Sequence, residues 1–347
     1  MRYLSACIKT RKNNLDFIRF FAASLVIISH AFPLSTGTDK RELMVLLTHD
    51  QLTLGRFAVA VFFIISGFLI TASYDRSQNI KRFVRARFLR IFPGLAVVVL
   101  LTAFVLGPMV TSMPLAEYLH ERQTCRYLGT MFLRNSDALP GVFVSNPFPN
   151  AVNGSLWTLF FEVLCYCIVA VMGIVGLLKR RPILILFLLV MIAPLPASWT
   201  WHRWHISTML AFTKLFASGM LCYAYRDHIR LSKWLAVAAL VGLLVSTQLG
   251  GLDRLLPILG TYLVMYCAFT PCGNLWSFAK RGDFSYGMYI YAFPIQQTVM
   301  LISGGRMSPI FNMLISFPFV LLFAALSWHI IEKKCLKRKT AVKASTA

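Results

Sequence analysis

Ten apolar segments divide this chain almost from end to end. They lie near 15–33, 54–74, 91–107, 156–178, 182–200, 206–225, 233–250, 255–271, 284–303 and 309–331. Most approach the ~20 residues that a helix needs to cross ~30 Å of hydrocarbon. Lipid offers a backbone no hydrogen-bond partners, so a segment of this length that crosses it must satisfy its own N–H and C=O groups as a helix. The expected fold class is all-α, a polytopic integral membrane protein with about ten transmembrane helices. Composition agrees: 57% of residues are hydrophobic and only 14% charged, unlike an ordinary soluble chain.

A net charge of +22 would suit a nucleic-acid binder, but its distribution argues against one. With the N-terminus inside, alternate connections hold 24 of the 35 basic residues, including Arg76 to Arg90, Lys179 to Arg181 and the tail from Lys333. Only Arg19 and Lys214 are left within spans. This is the positive-inside pattern, and an even number of spans puts both termini in the cytoplasm. The basic stretch 1–13 runs into the first span with no small-residue cleavage site, so no removable signal is expected. The chain reads as a cytoplasmic segment 1–13, a membrane domain 14–332 and a basic cytoplasmic tail 333–347, with no internal repeat. The connection from Pro108 to Gly154 is long enough to be functional, and Leu115 to Arg134 within it suits an interfacial helix. Cys165 and Cys167 stand two apart on a helix and point in different directions, so neither a metal site nor a disulfide is expected.

Ionisable residues at membrane depth mark pathways or reaction sites. Arg19 and His30 are eleven residues apart; at about 100° per residue they share a helix face, roughly 16 Å apart along the axis. Glu162 sits about one and a half turns inside the fourth span, with Tyr166 one turn further on the same face. Lys214 is midway along the sixth span, where pairing with Glu162 and snorkelling are both open. Ser66-Gly67 is a small pair that permits close helix contact; a nucleophilic serine would need a base beside it. Arg87 and Arg90 share a helical face at the start of the third span, as a topology signal or as a bidentate phosphate site. Trp157 occupies an ordinary interfacial anchor position.

Taken in order, these blocks resemble the integral-membrane acyltransferase family 3. The matching pieces are Leu15-Asp16 with Arg19 and His30, then Ser66-Gly67-Phe68-Leu69-Ile70, then Arg87 and Arg90 before Pro93. Asn153-Gly154-Ser155-Leu156-Trp157-Thr158-Leu159 with Glu162 follows, and Phe284 to Tyr289 and Ile331-Glu332 close the series. Phe20 departs from the pattern, because many relatives have glycine after the arginine. The resemblance covers essentially the whole chain. It implies transfer of an acyl group, most often acetyl from acetyl-CoA as donor substrate, to a hydroxyl of a bacterial surface glycan such as O-antigen or exopolysaccharide. The implied setting is the cytoplasmic (inner) membrane.

On that reading Arg19, Arg87, Arg90 and Ser66 meet the donor. His30 is the general base or a transient acyl carrier, and Asp16 or Glu162 orients it or stabilises its charge. Asn153, Trp157, Tyr166 and Lys214 are the candidates for contact with a glycan or lipid-linked saccharide, alongside the surrounding membrane lipids. The rival expectation is a polytopic transporter or flippase for a glycan or lipid-linked intermediate, which would consume no acyl-CoA.

Overall fold

The computed structural model describes residues 2–9, 12–134, 136–193 and 201–341. Helices occupy all ten apolar segments. We label them α1 (Leu15–Thr36), α2 (Leu54–Ser77), α3 (Ile80–Val110), α4 (Trp157–Ile174), α5 (Arg180–Ile192), α6 (Trp201–Ala224), α7 (Lys233–Leu249), α8 (Leu252–Phe269), α9 (Ser285–Ile302) and α10 (Pro309–Ser327). Among the described residues seven helices, α1 to α4, α6, α8 and α10, are long and apolar enough to cross a membrane. The protein is therefore an all-α, multi-pass membrane protein. Of the other three, α5 and α7 are shorter, with 13 and 17 residues. Helix α9 has 18 residues but carries Gln296, Gln297 and three tyrosines. The end of the fifth apolar segment, 194–200, lies outside the described residues.

Local chemistry sets the boundaries. Thr53 caps α2 by accepting from the Arg56 N–H at 3.0 Å, and Gln78 ends it in the left-handed region at φ 44°. Asn79 then caps α3 by accepting from the Arg82 N–H at 3.0 Å. Back-to-back stop and start signals of this kind reverse the chain within two residues. Successive helices run in alternate directions, giving the bundle a basic end, where α1, α3, α5, α7 and α9 begin, and a loop end holding 37–53 and 111–156.

Helix α2 is the centre, with 72% of its membrane window buried. It packs on α1, α4 and α6, most extensively on α6. Glycine makes that last contact possible in both directions. A Cβ on Gly67 would stand 1.9 Å from the Phe216 carbonyl oxygen, and one on Gly219 would stand 2.1 Å from that of Ile64. The backbones touch there, the close packing that the Ser66-Gly67 pair permits.

At the loop end the structure corrects one expectation. Residues 115–134 do not form a single interfacial helix; they fold as three short turns, Leu115–His120, Arg122–Leu128 and Gly129–Phe132. Glu121 adopts an extended conformation (φ −68°, ψ 132°) that breaks the run. The turns pack inward: Tyr118 and Tyr127 are fully buried, donating to the Ala103 carbonyl at 2.7 Å and to Thr102 Oγ1 at 3.0 Å. The π-helical turn Thr102–Leu106 disturbs the regular ladder there, and Tyr118 bonds its carbonyl at Ala103. Nearby, buried Glu42 accepts from Ser29 Oγ at 2.8 Å and from the Leu54 N–H, tying the 37–53 connection to α1 and α2. Burial raises its carboxyl above the ordinary range, against the opposing pull of those two donors.

Candidate active site

A cavity of about 430 Å³ enters the bundle from the basic end between α1, α2, α3, α4 and α9. Its mouth is cationic, with Arg19, Arg76, Arg87 and Arg90; its walls are apolar, with Val59, Phe62, Phe63, Leu69 and Ile70 of α2; and Glu162, Thr158 and Tyr289 bring polar groups to the interior.

Arg90 is fully engaged. Its Nη2 donates to Asp283 Oδ2 at 2.5 Å, and its Nη1 lies 3.7 Å from Glu332 Oε2. Asp283, just before α9, also accepts from the Ser285 hydroxyl at 2.6 Å and lies 4.0 Å from Arg19. Burial alone would raise the Asp283 carboxyl, but Arg90, Arg19 and the Ser285 hydroxyl outweigh it and hold the group at about 2. Glu332 is almost wholly buried and accepts from Ser327 Oγ at 2.9 Å. The chain therefore fixes one guanidinium with two carboxylates drawn from segments far apart in sequence.

Arg87 is different. Its guanidinium carbon lies 5.9 Å from the Tyr166 ring centroid, and its Nε is buried with no hydrogen-bond partner. At the hydroxyl of that ring a small polar cluster joins α4 to α2: Glu162 Oε1 accepts from Ser66 Oγ at 3.1 Å and from the Tyr166 hydroxyl. Arg87 to Tyr166 to Glu162 to Ser66 thus makes a continuous polar path up one wall. The spacing of Arg87 and Arg90 puts both on the cavity, but their duties separate, because only Arg90 has carboxylates within reach.

The cavity thus unites six residues singled out from the sequence: Arg19, Ser66, Arg87, Arg90, Glu162 and Tyr166. Five others lie elsewhere. Asp16 lies 3.9 Å from Arg19, one helical turn away, and is half exposed. His30 is near the loop end of α1, its ring edge-on to Phe293 with centroids 5.3 Å apart, and its Nδ1 is buried without a hydrogen-bond partner. Neither Asp16 nor Glu162 touches it, so neither orients the imidazole in this structure. Phe293 also closes against Gly154, where a Cβ would meet its ring at 2.8 Å. Tyr289, which lines the cavity, precedes Phe293 by one turn of α9.

Asn153 is buried and donates to the Ile290 carbonyl at 2.8 Å, holding the α4 entry against α9. Trp157 is half-buried and packs against Phe161 and Phe212. Lys214 is buried and forms no ion pair among the described residues; Glu162 is occupied by Ser66 and Tyr166, so the pairing of those two is not made. The sequence marks Tyr286, Tyr289 and Glu332 only as parts of motif blocks and does not mark Arg76 or Asp283 as site residues; the structure brings Arg76, Asp283, Tyr286 and Tyr289 to the cavity and Glu332 to Arg90. Asp283 and Glu332 both carried a signal, as carboxylates at the ends of apolar segments.

Comparison with known proteins adds independent evidence. Residues 12–331 match the family model of acyltransferase 3, described as an acyltransferase domain. The chain is 31% identical over 341 residues to an O-acetyl transferase of Shigella phage Sf6, spanning 95% of this chain and 98% of that protein. It is 27% identical over 373 residues to nodulation protein 10 of Rhizobium leguminosarum bv. viciae, spanning 95% of each. No solved structure matches significantly.

Proposed function

The chain belongs to the acyltransferase 3 family and is a membrane O-acyltransferase; from that premise we propose that it moves an acetyl group from cytoplasmic acetyl-CoA to a hydroxyl of a cell-surface glycan. The observation that carries this reading is the cavity itself, which combines a cationic mouth, apolar walls and a polar cluster inside. Phosphates of a coenzyme A donor suit the mouth, since guanidiniums bind phosphate oxygens in pairs. Arg87 is the principal ligand, because its donors are not already given to carboxylates, with Arg76 and Arg19 beside it. Arg90, held by Asp283 and Glu332, sets the shape of the mouth and the position of α9.

The pantetheine arm then lies along the α2 wall, bringing the thioester past Glu162 and Ser66. The Ser66 hydroxyl, now given to Glu162, is placed to turn towards the thioester oxygen as negative charge develops there. His30 takes the proton of the attacking sugar hydroxyl while the carbon–sulfur bond breaks and coenzyme A leaves as its thiol. An acyl-histidine relay through the same ring is the two-step form of this chemistry. In either form Phe293 is the side chain that must turn aside between the cavity and His30. The basic clusters at the mouth end support a bacterial inner-membrane setting with both termini in the cytoplasm and the loop end outside. The loop end, including 108–154, then faces the acceptor.

The test is mass and NMR analysis of surface polysaccharide from a deletion strain, complemented with wild type, Arg19→Ala or His30→Ala at equal abundance. Loss of O-acetyl esters in the deletion and in both variants is expected. Unchanged esters in the deletion strain would refute the glycan acceptor, and full restoration by either variant would refute its assigned role.

A further inference from the structure

A second cavity, of about 670 Å³, opens at the basic end and is separate from the donor site. On α2 it uses Thr71 and Asp75, whereas the donor cavity uses Ile70, Ser73 and Arg76. Its cations are Lys179, Arg180 and Arg181 at the start of α5 and Arg226 just after α6. Two of the four are committed. Arg180 donates to the Ala224 carbonyl at 3.0 Å and to Asp227 at 2.8 Å. Arg226 lies 4.2 Å above the ring of Tyr223, whose hydroxyl in turn donates to Asp75 at 2.7 Å. These contacts build a fixed floor.

Lys179 and Arg181 complete the cation set, and their side chains make no hydrogen bond or ion pair among the described residues. The start of a helix is where the backbone dipole disfavours cations, so the stability of α5 does not account for them. Leu178, Pro182 and Ile183 give the cavity an apolar side, and the neighbouring Ile174, Val175 and Leu177 at the end of α4 and Ile185 and Leu188 on α5 are exposed.

We propose that this second cavity binds the phosphate of an anionic phospholipid. The phosphodiester sits between Lys179 and Arg181, and the acyl chains lie along the exposed apolar surface of α4 and α5. Basic pockets between membrane helices at the headgroup level favour such ligands. A soluble phosphate shares the charge chemistry but leaves the apolar border without a role.

Native mass spectrometry of the purified full-length protein tests this, with added phosphatidylglycerol, phosphatidylcholine or inorganic phosphate. Wild type is expected to retain phosphatidylglycerol over phosphatidylcholine. Lys179→Ala/Arg181→Ala should bind it about 30-fold more weakly, as two lost cation contacts at a membrane surface imply. The charge-conserving Lys179→Arg/Arg181→Lys should bind as wild type does. Lys81→Ala/Arg82→Ala, which removes the same charge from another connection, should also leave binding unchanged. Undiminished binding by the first variant, or an equal loss in the last, overturns the site. Inorganic phosphate binding as tightly as phosphatidylglycerol overturns the lipid as its source.

Discussion

Asp283→Asn is the most informative single change at the mouth of the first cavity. Oxygen Oδ2 of Asp283 meets Arg90 at 2.5 Å and lies 4.0 Å from Arg19, while Oδ1 takes the Ser285 hydroxyl at 2.6 Å. Asparagine keeps the shape and the bond from Ser285 but removes the charge. Breaking a buried ion pair by removing one partner costs about 3–5 kcal/mol. Arg90 retains Glu332 at 3.7 Å, so the lower end of that range, about 3 kcal/mol, applies here. Thermal unfolding of the detergent-solubilised protein at pH 7 should then fall by at least ~5 °C. Replacing both partners with apolar residues, Arg90→Met/Asp283→Leu, should recover most of the loss, because no charge is then left buried alone. The pH dependence follows from the Asp283 carboxyl being held at about 2, below the ~3.9 of a free aspartate. A lowered folded value means that the stabilisation is complete above the unfolded value and is lost as pH falls through the folded one. The share of the difference between wild type and Asp283→Asn that this carboxyl contributes should therefore shrink below about pH 4. An Asp283→Asn protein as stable as wild type at pH 7 would refute this account of the mouth.

Three further changes separate packing, capping and donor binding. Gly67→Ala places a Cβ 1.9 Å from the Phe216 carbonyl oxygen, and backbone cannot give way cheaply; a loss of ~3 kcal/mol or more and reduced membrane abundance are expected by immunoblot and thermal unfolding. Glu42→Ala removes the acceptor for Ser29 Oγ and the Leu54 N–H and should cost about 1–3 kcal/mol in the same assay. Arg87→Ala should leave thermal stability close to wild type while raising the KM for acetyl-CoA by roughly 10- to 100-fold, the value of one charge-assisted phosphate contact.

Much of the architecture was legible in the sequence because hydrocarbon thickness and backbone satisfaction leave a long apolar segment few choices. All ten segments are helical over their described residues, and the close approach at Gly67 could be read from one small residue among bulky ones. Helix α9 shows the limit: its tyrosines and glutamines make it polar, yet two thirds of its residues are buried, with Gln296 and Gln297 bonding carbonyls of Ile27, Phe148 and Ala151. Such satisfaction depends on partners that only the folded bundle supplies. The same holds for Arg90, whose bond to Asp283 spans 193 positions. Helical periodicity correctly put Arg87 and Arg90 on one face, but it could not show that carboxylates would occupy one and leave the other open. Nor could it show that His30, which shares a helix face with Arg19, packs against Phe293 and does not line the cavity. The broken run 115–134 was hidden for a similar reason: its amphipathic pattern suits a membrane surface, but Tyr118 and Tyr127 find better partners in the disturbed turn of α3.

In the proposed function an acetyl group passes from a donor bound beside Arg87 to an acceptor hydroxyl deprotonated, or acylated, through His30. Purified protein in liposomes, given acetyl-CoA labelled in its acetyl group and the saccharide acceptor on the opposite side, measures this directly. Labelled ester is expected on the saccharide with wild type and none above background with His30→Ala, at equal protein incorporation and equal acetyl-CoA binding. Ester formation by His30→Ala at the wild-type rate would contradict the role of His30.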